Sequence, residues 1–336
     1  MVTQSVFGIT QSGKTVHAYR LTNQHGLAVT VLDYGCTLQS VCVPHAGTCI
    51  DVCLGYDTIE EYEQNDGNMG AVIGRYAGRI PDSVLTLGEK RYPLFANDGK
   101  NHLHGGKIGF DRHVFAGEVS ENSVRFTYVS PDGEEGYPAA LSVSVTYLLT
   151  EDNELRMTLS AVSDGLTVWN PTNHAYWNLN GQGSGSALEH VLTIPASRFV
   201  PVDQKLIPLS ESAPVEGTPF DFRSPRVLKE GFASPVIADG NGYDHSFLLD
   251  GNPITLCGNR GISMQIETDC RAVQLYTANF LGERRGKNGT VYLPHTAICL
   301  ETESRQLMRH APIPEESVVT PNTVKTHTTA YRFFCE

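Results

Sequence analysis

Between Val168 and Asn180 the chain reads Val-Trp-Asn-Pro-Thr-Asn-His-Ala-Tyr-Trp-Asn-Leu-Asn, gathering its only two tryptophans, Trp169 and Trp177, with Tyr176, His174 and several amides. Aromatic faces beside fixed amides and an imidazole can stack on a flat apolar surface while hydrogen-bonding the polar edge around it, and a sugar has that shape. The competing reading of the same residues is core packing, with His174 a satisfied buried histidine. A second stretch, Ile298-Cys299-Leu300-Glu301-Thr302-Glu303, sets two carboxylates in an otherwise apolar strand, where charges are avoided unless paired or functional. In a regular strand Glu301 and Glu303 point to one face, so alternation does not choose between them.

Three further stretches carry polar groups of uncertain purpose. In Asn101-His102-Leu103-His104-Gly105-Gly106 the two histidines would share a face on a strand, and the paired glycines allow a close approach by a ligand or a neighbouring strand. A metal reading of His102 and His104 needs a nearby carboxylate and a third histidine, and Gly105, Gly106, Lys107 and Ile108 supply neither. Gly242-Tyr243-Asp244-His245 offers a carboxylate at a strand start or simply a turn capped by Asp244. Gly74-Arg75-Tyr76-Ala77-Gly78-Arg79-Ile80 places two guanidiniums among small residues, suited to forking onto hydroxyls or to surface ion pairs.

The elements that must position these groups read with a period of two. Thr15 to Leu21, Leu27 to Leu32, Thr37 to Val43, Ser123 to Val129, Leu141 to Thr150 and Glu154 to Val162 alternate apolar and polar residues, as strands with one wet face do. Further runs lie at His190 to Ile194, Ser246 to Leu249, Gly261 to Glu267, Ala272 to Thr277, Ala297 to Thr302 and Thr328 to Phe334. Glu151-Asp152-Asn153 joins two long alternating runs as a hairpin, which implies antiparallel pairing. Helical spacing is confined to about two turns at Thr58 to Asn65. Glycine and proline are scattered between the runs, and no linker or repeat divides the chain. The pattern predicts an all-β protein, one large antiparallel β-sandwich domain spanning residues 1–336.

Composition narrows the partners. A formal charge of −12, a pI near 5.4 and no Lys or Arg run argue against nucleic acid and anionic lipid and favour a neutral small molecule. The first ten residues lack the basic-then-apolar order of a secretory signal, and no stretch reaches the roughly 18 apolar residues of a membrane span. With eight cysteines and no Cys-x-x-Cys pair, the expectation is a cytoplasmic protein with buried free thiols.

Taken together, these segments resemble the aldose 1-epimerase (galactose mutarotase) family over most of the chain. The matching pieces run in order: Tyr34 to Leu38, Gly74 to Ile80, Leu103 to Gly106 with Gly109 to Asp111, Ser130 to Pro138, Thr172 to Leu179, Phe220 to Arg223, Gly242 to His245, Gln274 to Phe280 and Leu300 to Glu303. The resemblance implies a β-supersandwich, no cofactor, no metal, and interconversion of the α and β anomers of hexoses such as galactose and glucose. It implies Glu301 as the base, His174 as the acid and His104 as a second histidine bonding the substrate. Arg79, Asp244 and Gln274 resemble the family's ligands for sugar hydroxyls, and Trp177 is a candidate platform for the apolar face of the sugar. The partner expected is a small-molecule sugar, and the assembly a monomer or homodimer.

Two departures stand out. Gly78 occupies a position where the family usually carries Asn, and Arg305 to His310 replaces a Pro-Asp-x-x-Asn segment after Glu303. Three competitors follow from the same residues: a hexose-6-phosphate 1-epimerase on this scaffold, a non-catalytic carbohydrate-binding sandwich, and a metal-dependent isomerase built on His102, His104 and Asp244.

Overall fold

Alternation along Leu141–Leu149 and Glu154–Ser163 is carried directly into space: Val143, Val145, Tyr147, Leu155, Met157, Leu159 and Ala161 are buried on one face while their neighbours are more open. The two strands pair antiparallel from Leu141↔Ser163 to Leu149↔Leu155, with the expected turn at residues 151–153. The computed structural model describes residues 1–64 and 67–335, of which 44% is strand and 9% helix.

Three antiparallel sheets dominate. The first orders Val2–Ile9, Thr15–Thr22, Ala28–Leu32, Leu38–His45 and Thr48–Asp51 consecutively. The second has nine strands, and in it the last strand, Lys325–Cys335, pairs with Glu154–Ser163 on one side and Ile262–Thr268 on the other. The third runs Ala213–Pro214, Arg198–Val200, Asp244–Leu248, Ala272–Tyr276 and Cys299–Glu303. Val29 from the first sheet, Val145 and Ile266 from the second, and Phe247, Val273 and Leu300 from the third belong to one continuous apolar cluster. Each such side chain contributes about 1.5–3 kcal/mol on burial, so this shared interior is what presses the sheets together.

Every run anticipated as a strand overlaps one, and the short helix forms at Ile59–Glu63 behind a Thr58/Glu61 capping box. Asn65, the last residue expected in that helix, lies outside the described residues. The Val2–Ile9 strand escaped the periodic reading because it is an edge strand with little buried on either face. One expectation about sulfur is corrected: Cys42 and Cys49 form a disulfide across adjacent strands, whereas Cys36, Cys53, Cys270 and Cys299 are buried thiols.

Candidate active site

The third sheet supplies one wall of a cleft of about 290 Å³. Gln274 lies directly opposite Glu301, Tyr276 opposite Cys299, and Asp244 opposite Tyr276 in the antiparallel register. Because side chains alternate, Asp244, Gln274, Tyr276, Glu301 and Glu303 line the cleft while Phe247, Val273, Leu275 and Leu300 enter the core. Alongside Cys299–Glu303 runs the segment that carries His174, just past a two-residue strand, Thr172–Asn173, that pairs with Val72–Ile73; farther on, Trp177 bridges Ile298 antiparallel. His174 N–H donates to Ala71 O at 2.9 Å and its carbonyl accepts from Gly70 N at 2.8 Å, so the imidazole projects from a fixed backbone.

His104 reaches the same cleft by leaving its strand. The His102–Leu103 strand pairs with Arg79–Ile80 and stops; His104 then takes φ 52°, which turns it away from the face of His102. The expected shared face is therefore corrected. His102 is buried with Nδ1 2.7 Å from Phe95 O and Nε2 2.6 Å from Tyr137 Oη, so both of its nitrogens are occupied in the interior. Gly105 serves a neighbouring backbone and not a ligand, since a β-carbon there would lie 1.8 Å from Gly74 O. The two arginines also separate. Arg75 is buried and donates to Ser130, Pro131, Pro138 and Ala139, clamping that turn, while Arg79 lines the cleft with Nε 2.9 Å from Asp98 Oδ2.

Trp177 is a correction. His174 and Tyr176 face the cleft, so the alternating residues Ala175 and Trp177 face the core, where Trp177 is 0% exposed and packs on Tyr331 at 5.3 Å and Phe333 at 5.9 Å. Its ring cannot meet a sugar. Tyr176, Tyr276 and the exposed Phe280 supply the aromatic lining instead. Two of these were within reach of sequence reasoning, because Tyr176 and Tyr276 stand two residues from His174 and Gln274 and share their faces. Gln306 had no periodic signal, since it follows the strand in a loop.

Hydrogen bonds tie the acidic wall together. Gln306 Nε2 donates to Glu303 Oε1 at 3.1 Å and Gln274 Oε1 at 3.0 Å, Gln274 Nε2 donates to Asp244 Oδ1 at 2.6 Å, and Asn170 Nδ2 donates to Glu303 Oε2 at 3.3 Å. Glu301 Oε1 is 3.8 Å from His174 Nε2. Burial, with Glu303 and Asp244 beside it, pushes the Glu301 carboxyl well above the usual carboxylate range. Burial also raises Glu303 to about 8 and lowers His174 to about 4, against their hydrogen bonds. Desolvation thus favours the neutral carboxyl and neutral imidazole over the ion pair. One proton passed from Glu301 to His174 converts one form into the other.

A group of His174, Cys299 and Glu301 offers three ligand atoms within 4.8 Å of one another. His104, by contrast, has Nδ1 accepting from Gly78 N–H at 3.2 Å.

Comparison with known proteins places the chain among aldose epimerases. A family model described as aldose 1-epimerase matches residues 17–332. Galactose mutarotase of Sus scrofa is 40% identical over 341 residues, covering 99% of this chain and 98% of that protein. Aldose 1-epimerase of Haemophilus influenzae is 36% identical over 310 residues, covering 90% of each. Among solved structures, galactose 1-epimerase from Lactobacillus acidophilus superimposes with a TM-score of 0.87 at 30% identity, covering 99% of this chain and 98% of that one. An aldose epimerase homologue from C. elegans gives 0.87 at 29% identity, with 94% and 98% covered.

Proposed function

The chain belongs to the aldose 1-epimerase family, and from that premise we propose that its cleft opens and recloses the ring of free hexoses such as galactose and glucose. The observation that carries this reading is the pair Glu301 and His174, 3.8 Å apart in a cleft of polar side chains. Mutarotation needs a base at the C1 hydroxyl and an acid at the ring oxygen. Glu301 takes the hydroxyl proton as the C1–O5 bond breaks, and protonated His174 gives its Nε2 proton to O5. The open aldehyde rotates about C1–C2, and reversal of both transfers closes the other anomer. Each positioned transfer is worth about 10²–10⁴-fold, so two of them suffice for a reaction of this kind.

The electrostatics set a condition on that cycle. The reactive form is ionised Glu301 with protonated His174, the form burial opposes. Sugar hydroxyls entering the cleft replace lost water and stabilise the ion pair, so binding is coupled to proton placement. His104 presents Nε2–H to the substrate, since Gly78 N–H already occupies Nδ1. Arg79, Asp244 and Gln274 bond the remaining hydroxyls, and Gln306 stands among them where Gly78 leaves room. The continuous core joining all three sheets supports a single domain, and the charge of −12 without a basic run supports a small-molecule partner for a monomer or homodimer. Buried thiols favour a cytoplasmic setting; the Cys42–Cys49 bridge is the observation against it.

One observation favours a second reading. Arg284 lines the cleft as Arg79 does, which gives a phosphorylated hexose a second cation to meet. Arg79 is already paired with Asp98, and the working form of the site carries Glu301 ionised between Asp244 and Glu303, so the free sugar is the better fit. Following the decay of optical rotation of freshly dissolved α-galactose, α-glucose and α-glucose 6-phosphate, with and without enzyme, separates the readings. Faster decay of the free sugars is expected; acceleration of the phosphate alone would transfer the function, and none at all would leave a binding protein.

A further inference from the structure

Cys299 precedes Glu301 by two residues on the same strand face, and its Sγ lies 3.5 Å from Nδ1 of His174. The thiol is fully buried, and the ring it touches is stacked on Tyr176 at 5.0 Å and meets Tyr276 and His104 edge-on. The His174 nitrogens therefore face different partners: Nδ1 a sulfur behind the cleft, Nε2 the carboxyl of Glu301.

We infer that Cys299 is the positioning residue that holds neutral His174 as its Nδ1–H tautomer, so that Nε2 alone exchanges the proton with Glu301 and substrate. This rests on the acid role given to His174 above. Two arrangements are possible at the contact. If the thiol donated to Nδ1, neutral His174 would carry its hydrogen on Nε2 and could become the acid only by protonation at Nδ1. Among the described residues the group hydrogen-bonded to Nδ1 is a thiol, and burial with Glu301 nearby makes it too weakly acidic to supply that proton. If Nδ1–H donates to sulfur, the bare Nε2 accepts a proton from the cleft side, where the Glu301 carboxyl stands 3.8 Å away. That proton then passes to O5 and the ring returns to its starting tautomer, so no proton is lost or gained over the cycle.

The contact has a counterpart in the other cleft histidine. At His104 a backbone N–H points at Nδ1, forcing that nitrogen to accept and placing hydrogen on Nε2. Two imidazoles 5.6 Å apart are thus fixed in opposite tautomers, one a standing donor and the other a shuttle. A thiol is also a weak acceptor, so it orients His174 without raising its basicity as a carboxylate partner would.

The test reads the tautomer directly. In ¹⁵N-histidine-labelled wild-type protein above the His174 titration, long-range ¹H–¹⁵N spectra assigned with His174→Gln are expected to show protonated Nδ1 and bare Nε2. Cys299→Ser, which keeps an acceptor, should retain that pattern and stay within a few-fold of wild-type kcat. Cys299→Ala should mix the tautomers and lower kcat by about tenfold or more with little change in KM, since it withdraws part of a transfer worth about 10²–10⁴. A wild-type ring protonated on Nε2, or a Cys299→Ala enzyme with unchanged tautomer and kcat, overturns the proposal. If Cys299→Ala does not fold, the wild-type and serine spectra decide it. Full activity in His174→Gln would instead sink the acid role itself, a separate outcome.

Discussion

Gln306 Nε2 stands 3.3 Å from where a β-carbon on Gly78 would lie. Gly78 also has φ 78°, a left-handed conformation that asparagine tolerates better than most residues. The space left by the small residue is therefore taken by an amide from a loop distant in sequence, one that also bonds Glu303 and Gln274. Gly78→Asn is accordingly expected to displace Gln306 and raise KM for galactose and glucose, even though Asn is what the family usually carries there. Initial rates by polarimetry over a range of sugar concentrations check this, and a lowered KM would show that Gln306 is dispensable.

His174→Gln is expected to lower kcat by about 10²–10⁴, the worth of one proton transfer. His174 is 6% exposed, so some loss of Tm accompanies the change, unlike a residue at an open rim. Normal kcat with a lowered Tm would assign His174 to packing alone.

The titration of the acidic wall fixes a direction for activity. Glu301 and His174 share one proton in the competent enzyme, so kcat/KM should fall on acidification as a second proton binds at His174, which burial lowers to about 4. A flat profile from pH 7 down to pH 3 after subtraction of the uncatalysed rate would contradict a pair that works with one shared proton.

Stability responds with the opposite sign. Glu303 binds its proton more tightly in the folded chain, about 8 against 4.5, so the stabilisation is complete below 4.5 and is lost as pH rises through about 8. Glu303→Gln removes that dependence, and its Tm should gain on the wild type as pH rises from 5 to 9. A constant Tm difference across that range would mean Glu303 titrates normally.

Much of this is legible in the amino-acid sequence. Period-two runs located the strands because each buries one face, and alternation rightly put Glu301 and Glu303 together. The same rule would have sent Trp177 inward had it been applied from His174, since residues 174 and 176 share one face and 175 and 177 the other. Local pattern failed where the chain leaves its element: His104 turns out of its strand at φ 52°, and Gln306 enters from a loop, both invisible to periodicity. Protonation is likewise beyond local pattern, because it depends on how far three carboxyls and two imidazoles are withdrawn from water together, a property of the assembled cleft.

Chelation tests the remaining rival. With His102 bonded at both nitrogens, the His102, His104 and Asp244 set does not form; of the groups that could bind an ion among the described residues, the one in the cleft region is His174, Cys299 and Glu301. Prolonged EDTA treatment is expected to leave the rate unchanged. Loss restored by a divalent cation would replace the acid–base account.

The most direct measurement compares the two carboxyls that alternation leaves equivalent. Glu301→Gln and Glu303→Gln each keep shape while removing proton affinity, and Glu301 alone lies within 3.8 Å of His174 Nε2 among the pair, while Glu303 is engaged by Gln306 and Asn170. Polarimetric kcat for both variants, with sugar binding measured by calorimetry, is expected to show Glu301→Gln losing about 10²-fold or more while still binding, and Glu303→Gln losing only a few-fold. The reverse ranking, or equal and modest losses, would contradict Glu301 as the base.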